Sequence, residues 1–350
     1  MRVLTDFHHN SLMISHVKLF EERLKMDVYR PIGMEWFNEG FWQINQLEDT
    51  AKQFLAEESN PVDNTPPLND VANYKPLLEG GIMQVFDPGH KTKHWACTLD
   101  FFKRTKFDYV IASIPAHVEP FKRLIEQYNP TAKLIVQAGN NWQLDSFSPL
   151  PLLASIKPQP YNGPAVFYHQ EFDTKLFCPT KMKNFNQAYS FVNVLQDVPE
   201  NWATYNEIKS IMESRGWDVR AYGGQNPDGN MQGAEELAAK MKEMTYLIHI
   251  KYGGDGYGHI IHNAYAIGRP LIAKSSQYAG QLASDLMVPG TFIDIDAFPS
   301  VQAAIDHALS LSNEEIAAMG KRASDQFKKV VNFGKEAKEI EQWLKDILAT

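Results

Sequence analysis

Cysteine is almost missing from this chain: Cys97 and Cys178 are the two in 350 residues. Two thiols cannot build a disulfide framework or a four-cysteine zinc site. A reducing, cytoplasmic setting is therefore expected. Long apolar runs are missing too, and nothing approaches the ~20 residues that span a bilayer. The opening MRVLTDFHHN lacks the apolar core of a signal peptide and reads as a first buried strand. Positive charge is in deficit, with 34 Lys+Arg against 42 Asp+Glu and a net charge of −8. That balance disfavours a nucleic-acid or anionic-membrane partner, because phosphate backbones demand a cationic face. Metal-ligand spacing is also lacking: His90 and His94 have no third ligand nearby, so no metal is expected. What the chain does have is an ordinary share of apolar residues, 44%, and a length that suggests about two domains.

The apolar segments alternate as strand and helix. Arg2–Phe7 and Asp27–Pro31 read as strands around a helix that carries Leu12, Val17, Leu19, Phe20 and Leu24 at helical spacing. Residues 36–82 read as irregular, with a strand at Ile82–Phe86, a helix near 94–104 and a strand at Phe107–Ile114. A helix at Glu119–Tyr128, a strand at Ala132–Gln137, a loop over 139–164 and a short strand at Ala165–His169 complete this half. A second cycle runs from Tyr189 to a strand near Phe292, and three helices at 299–311, 313–331 and 334–348 close the chain. Continuous apolar strands joined by helices predict parallel sheets covered on both faces. The expected fold class is α/β, with two Rossmann-like domains facing across a cleft. We divide it into residues 1–170, a linker over 171–186, a second domain over 187–331, and a final helix over 332–350 that returns to the first domain. Ligands of such sheets sit at the carboxyl ends of strands, where connections diverge.

The richest segment is Lys251-Tyr-Gly-Gly-Asp-Gly-Tyr-Gly-His-Ile-Ile-His-Asn-Ala-Tyr-Ala-Ile-Gly-Arg-Pro270, between a strand and a helix. Glycines at 253, 254, 256 and 258 permit positive φ and close approach of a ligand. The helix N-terminus that follows offers N–H groups and a positive dipole end, which suits a diphosphate. No Gly-Lys-Ser/Thr follows, so this is not a Walker A loop, and it matches GxGxxG only in part.

The segment DGYGHIIHNAYAIGRPLIA resembles the signature of GT-B glycosyltransferases, family 4 in particular. Asp255 stands at the family's first Glu, Tyr257-Gly258 at its Phe-Gly and Asn263 at its second Glu, with the seven-residue interval kept. Ala264, Ala266, Gly268 and Pro270 match as well, and Glu171–Pro179 resembles the passage before the family's second domain. The resemblance covers roughly residues 165–330. It implies transfer of a sugar from a nucleotide-diphosphate-sugar donor, UDP- or GDP-linked, without metal or other cofactor, with retention of configuration, to an acceptor the sequence does not name. Asn263 would contact the donor ribose and Asp255 the donor sugar; from the turn itself, the diphosphate is expected on the N–H groups of Gly256–His259, with Lys251, Gly254, Gly256, Tyr257, Gly258 and His259 as donor-binding residues. Gly223, after the strand at 217–222, would lie close to the base. A histidine of the first domain, His9 after the first strand or His117 after Phe107–Ile114, would face the sugar. The sequence also departs from the family. The Arg and Lys that usually clamp the phosphates are absent from Phe191–Glu200, which leaves Lys251, Arg269 or Lys274 as substitutes. Two alternatives remain open: a GT-B protein that binds without catalysis, and a nucleotide-sugar epimerase.

Overall fold

The computed structural model describes residues 1–6, 10–31, 80–87, 91–139 and 144–349. His8, His9, His90 and residues 36–79 of the stretch expected to be irregular lie outside the described residues. The chain divides into two compact units, Met1–Phe172 with Phe333–Thr350, and Asp173–Asn332.

In the first unit β1 (Arg2–Thr5) is followed by α1 (Asn10–His16), a wider helical turn (Val17–Arg23) and β2 (Asp27–Pro31). Next come β3 (Ile82–Asp87), β4 (Thr92–Cys97), α2 (Leu99–Arg104), β5 (Tyr109–Ala112) and α3 (Val118–Tyr128). Then follow β6 (Lys133–Ala138), β7 (Leu152–Ala154) and β8 (Ala165–Phe167). The eight strands form one sheet in the order β3-β4-β2-β1-β5-β6-β7-β8. All neighbours are parallel except β3 and β4. The helix expected near 94–104 is therefore half strand: Thr92–Cys97 pairs with β3 on one side and β2 on the other. The helix begins only at Leu99, where the Thr98 hydroxyl accepts the Phe101 N–H at 3.3 Å and caps the first turn. The loop expected over 139–164 hides β7, whose Leu152, Leu153 and Ala154 are buried. Three residues buried on both faces carry no alternation to read.

In the second unit β9 (Gln187–Ser190) is followed by α4 (Pro199–Glu213), β10 (Asp218–Ala221), α5 (Ala234–Glu243) and β11 (Tyr246–Ile248). Then come α6 (His259–Ile267), β12 (Leu271–Ala273), β13 (Phe292–Asp294), α7 (Val301–Ser310) and α8 (Asn313–Val330). The five strands are all parallel, in the order β10-β9-β11-β12-β13. In both sheets the chain leaves two adjacent strands in opposite directions: β1 and β5 in the first, β9 and β11 in the second. The carboxyl ends of those pairs are the topological switch points where α/β sheets hold ligands.

The last helix, α9 (Phe333–Ala349), belongs to the first unit. Its Ala337, Ile340, Trp343, Leu344 and Ile347 join Val3, Val17, Phe20, Tyr109 and Ile135 in one buried cluster. The Tyr109 hydroxyl donates to the Leu344 carbonyl at 2.9 Å. Among the described residues, no helix is long and apolar enough to cross a membrane.

Candidate functional site

The second unit's switch point is built on the glycine turn. Gly253, Gly254, Gly256 and Gly258 all have positive φ, at 78°, 82°, 54° and 75°. A side chain at any of them is strained, because φ of this sign brings Cβ against the backbone. At Gly254 space is lacking as well, since a Cβ there would lie 1.4 Å from Gln281 Nε2. The turn is held from outside by side-chain carbonyls. Gln277 Oε1 accepts the Lys251 N–H at 2.9 Å, Asn201 Oδ1 that of Tyr252 at 2.7 Å, and Gln281 Oε1 that of Asp255 at 2.9 Å. The Gly258 N–H, one of those expected to hold a diphosphate, is given to the Asp255 carbonyl at 2.9 Å.

Asp255 is engaged on both carboxylate oxygens. Oδ1 pairs with Lys251 Nζ, and Oδ2 lies 3.3 Å from His249 Nε2. The other ring nitrogen of His249 is hydrogen-bonded to the Tyr278 hydroxyl. Burial works to raise the Asp255 carboxyl. The hydrogen bond and charge of His249, with Lys251, outweigh it and hold the group well below the usual carboxylate range. Burial beside Asp255 pushes the Tyr278 phenol well above its ordinary value, so it stays protonated. His249, Tyr278, Gln277 and Gln281 escaped sequence reading. His249 stands just before the turn, one residue beyond β11, whereas Gln277, Tyr278 and Gln281 follow β12 and reach the turn only through the fold.

Helix α6 leaves this turn with Gly258 in the left-handed conformation as its N-cap. His262 Nδ1 lies 2.9 Å from the Gly258 carbonyl, and its ring stacks on Tyr257 at 4.2 Å. His259 meets the same tyrosine edge-on at 4.7 Å. Asn263 is nine-tenths buried, and its Oδ1 has no hydrogen-bond partner among the described residues. A buried acceptor left unpaired costs about 1–3 kcal/mol, so such atoms mark places where a partner is expected. Gly223 has φ of 118°, and a Cβ there would lie 2.6 Å from Asn193 Oδ1. The two loops that follow β9 and β10 thus interlock, tied further by Asn226, whose Nδ2 donates to the Val192 carbonyl at 2.7 Å. Among the described residues, no three His, Cys, Asp or Glu side chains are grouped to hold a metal ion.

Arg269 does not substitute for a phosphate clamp. It is fully buried and donates to the carbonyls of Thr180 at 3.0 Å and Lys242 at 2.6 Å. Burial pulls its guanidinium down to about 10, still cationic at neutral pH. Its work is to pin the segment at Thr180 to α5 and α6.

In the first unit His117 is brought to the switch point between β1 and β5. Its Nδ1 lies 2.9 Å from Asp6 Oδ2, and both residues are buried. The Ser113 N–H donates to the same oxygen at 2.7 Å, and the Ser113 hydroxyl pairs with Asp6 Oδ1. Asp6 and Ser113 were not singled out in the sequence. The signal available was their position, one residue beyond the ends of β1 and β5. His169 is structural: its N–H and Nδ1 bind the two oxygens of Glu336 on α9, at 2.8 and 2.9 Å.

No family model matches the sequence, and no curated protein is similar to it by sequence. Solved structures are similar in fold. HepE of Anabaena, in complex with UDP and glucose, superposes with a TM-score of 0.60 over 99% of each chain at 10% identity. The chain has the GT-B fold. Sucrose-phosphate synthase from Thermosynechococcus elongatus gives a TM-score of 0.59 over 100% of this chain and 99% of that one, at 10% identity. TarM of S. aureus, solved with UDP, gives 0.58 over 98% and 99%, also at 10% identity. At such identity the likeness extends to the GT-B fold, whose neighbours here are glycosyltransferases. The glycine turn, α6 and Asn263 occupy the carboxyl end of the second GT-B sheet, and His117 that of the first.

Proposed function

We propose that the chain is a glycosyltransferase that takes a sugar from a nucleotide-diphosphate-sugar, UDP- or GDP-linked, and hands it to an acceptor hydroxyl. The observation that carries this reading is the unpaired Asn263 Oδ1, buried on the helix that the glycine turn opens. A ribose hydroxyl is the donor that this acceptor lacks. Four glycines with positive φ lead the backbone into the first turn of α6. The dipole there favours an anion.

Bond making in this reading is balanced without a metal. The anomeric bond to the diphosphate oxygen breaks, a bond to the acceptor oxygen forms, and the acceptor proton leaves on the diphosphate with retention of configuration. The protein's share is positioning and charge stabilisation. Lys251, more than a third exposed, is paired with Asp255 at the turn, and it stands in for the missing clamp once it moves from that carboxylate. Asp255 then becomes available to the sugar. His259 and Tyr257 wall the phosphate side, and Gly223 the base side.

A second reading, a binding module without turnover, is favoured by the full engagement of Asp255 and by the absence of Arg and Lys from 191–200. Thermal shifts with UDP, GDP, ADP and CMP, followed by hydrolysis of the matching sugar nucleotides, separate the two. The transferase reading expects a shift with UDP or GDP and slow hydrolysis of its sugar conjugate. A shift without turnover on any acceptor favours the module, and no shift with any nucleotide refutes the transferase. An epimerase would return a changed sugar still attached to the nucleotide, which the same assay reads.

A further inference from the structure

Asp255 is gripped from two sides that differ in kind. On one side Lys251 reaches it from four residues back, along a side chain that is 39% exposed. An ion pair with one partner in solvent holds weakly. On the other side His249 is buried, with Nε2 3.3 Å from Asp255 Oδ2. The carboxyl is held well below its ordinary range, so it is an ionised acceptor, and the hydrogen bond to it uses an Nε2–H. His249 is itself fastened. The Tyr278 hydroxyl is hydrogen-bonded to ring Nδ1 and also lies 3.1 Å from the His249 carbonyl oxygen. Tyr278 is fully buried, and its ring packs on the imidazole with centres 5.6 Å apart. The same short segment holds the backbone around the carboxylate, since Gln277 Oε1 accepts the Lys251 N–H and Gln281 Oε1 the Asp255 N–H, both at 2.9 Å. Of these holds, the Lys251 side chain is the exposed and flexible one. A carboxylate left in a partly buried site without a partner is costly. An anion can therefore draw Lys251 away only if another donor stays behind.

We infer that His249, braced by Tyr278, is the positioning residue that keeps the Asp255 carboxylate in place while Lys251 turns to an anionic ligand. Two neighbours of one carboxylate thus have different tasks. Lys251 is exchangeable, and His249 is not. Tyr278 acts one step further back, by fixing the ring that fixes the carboxylate. The division between His249 and Lys251 stands on the geometry alone. The ligand half rests on the glycosyltransferase reading, in which the anion is the donor diphosphate and Asp255 faces the sugar.

The test has two parts. Carbon NMR of the full-length chain labelled in aspartate and lysine, with Asp255 assigned by its loss in Asp255→Asn, reads the carboxyl directly. At about pH 4, near the ordinary carboxylate value, Asp255 should stay ionised in the native protein and in Lys251→Met. In His249→Leu it should be largely protonated, a proton affinity at least about ten-fold higher than in Lys251→Met. His249→Gln keeps an Nε2–H donor and should restore the ionised signal at least in part. Protonation in Lys251→Met equal to or beyond that in His249→Leu overturns the assignment. If the leucine variant does not fold, Tyr278→Phe takes its place, because it removes only the hydroxyl that fixes the ring. UDP and GDP are then added at the same pH. In the native protein the nucleotide that binds should shift the Lys251 side-chain signal and leave Asp255 ionised, whereas in Tyr278→Phe it should also move Asp255 toward its protonated position. A Lys251 signal that ignores a bound nucleotide, or an Asp255 that protonates equally in both proteins, overturns the ligand half. A native protein that binds neither nucleotide refutes the donor reading instead, and the ligand-free comparison still judges His249.

Discussion

At the residue scale, Asp255 and the glycines make the sharpest claims. The Asp255 carboxyl is depressed in the folded protein. Its stabilisation is therefore full above the unfolded carboxylate value, near pH 4, and is lost as pH falls further toward the folded value. Asp255→Asn should cost about 2 kcal/mol at pH 7, the worth of hydrogen bonds to a charged group. The gap to the native protein should close in unfolding curves taken from pH 4 downward, and a gap that widened there would contradict the assignment. The glycines give a paired comparison. Gly253 and Gly254 share positive φ, but a Cβ at Gly253 meets nothing within 4 Å, whereas one at Gly254 displaces the Gln281 carboxamide. Gly253→Ala should cost about 1 kcal/mol for the backbone alone. Gly254→Ala should cost about 1–2 kcal/mol more, because the Gln281 bonds to Asp255 and Gly253 go with it. Denaturant midpoints of the two variants check the order.

At the element scale, the strands and helices that position the turn were readable from their apolar spacing. Asp27–Pro31 keeps both its bounds, and the three closing helices begin within two residues of expectation. Elements that depend on partners were not readable. The stretch from Thr92 to Cys97 has the composition of a helix start, yet pairing with β2 and β3 makes it a strand. β7 is three residues in a run of Pro and Ser, too short for any period to appear. The same limit separates the halves of the site. The signature segment placed Lys251, Asp255 and Asn263 on one turn and helix by sequence proximity. Of the side chains that fasten that turn, His249 stands just before it in sequence, while Asn201, Gln277 and Gln281 converge only through the sheet. Helix α6 is seated by a close backbone approach: a Cβ on Gly320 of α8 would lie 2.5 Å from the Gly268 carbonyl. Gly320→Ala should therefore destabilise the protein by about 1–3 kcal/mol, as overpacking of a rigid contact does. If α6 carries the ligand, the variant should also weaken nucleotide binding, which calorimetry on the folded variant measures.

At the scale of the whole molecule, chain order and spatial order part company. The last helix follows the second unit in sequence but supplies five buried side chains to a core of the first. Truncation after Asn332 should expose that core. In hydrogen exchange, protection should fall around Val17, Phe20 and Tyr109, while β9 and β11 keep theirs. Uniform loss across both units would contradict the division. The composition also acquires a meaning at this scale. A net charge of −8 and an empty clamp position leave the proposed anion site dependent on a backbone turn, a helix end and Lys251. The most direct measurement of that claim is a thermal-shift comparison of the native chain and Gly256→Val against UDP, GDP, ADP and CMP. The account predicts that UDP or GDP raises the melting temperature of the native chain and leaves the folded variant unmoved. No shift with any nucleotide, or equal shifts in both proteins, would contradict it.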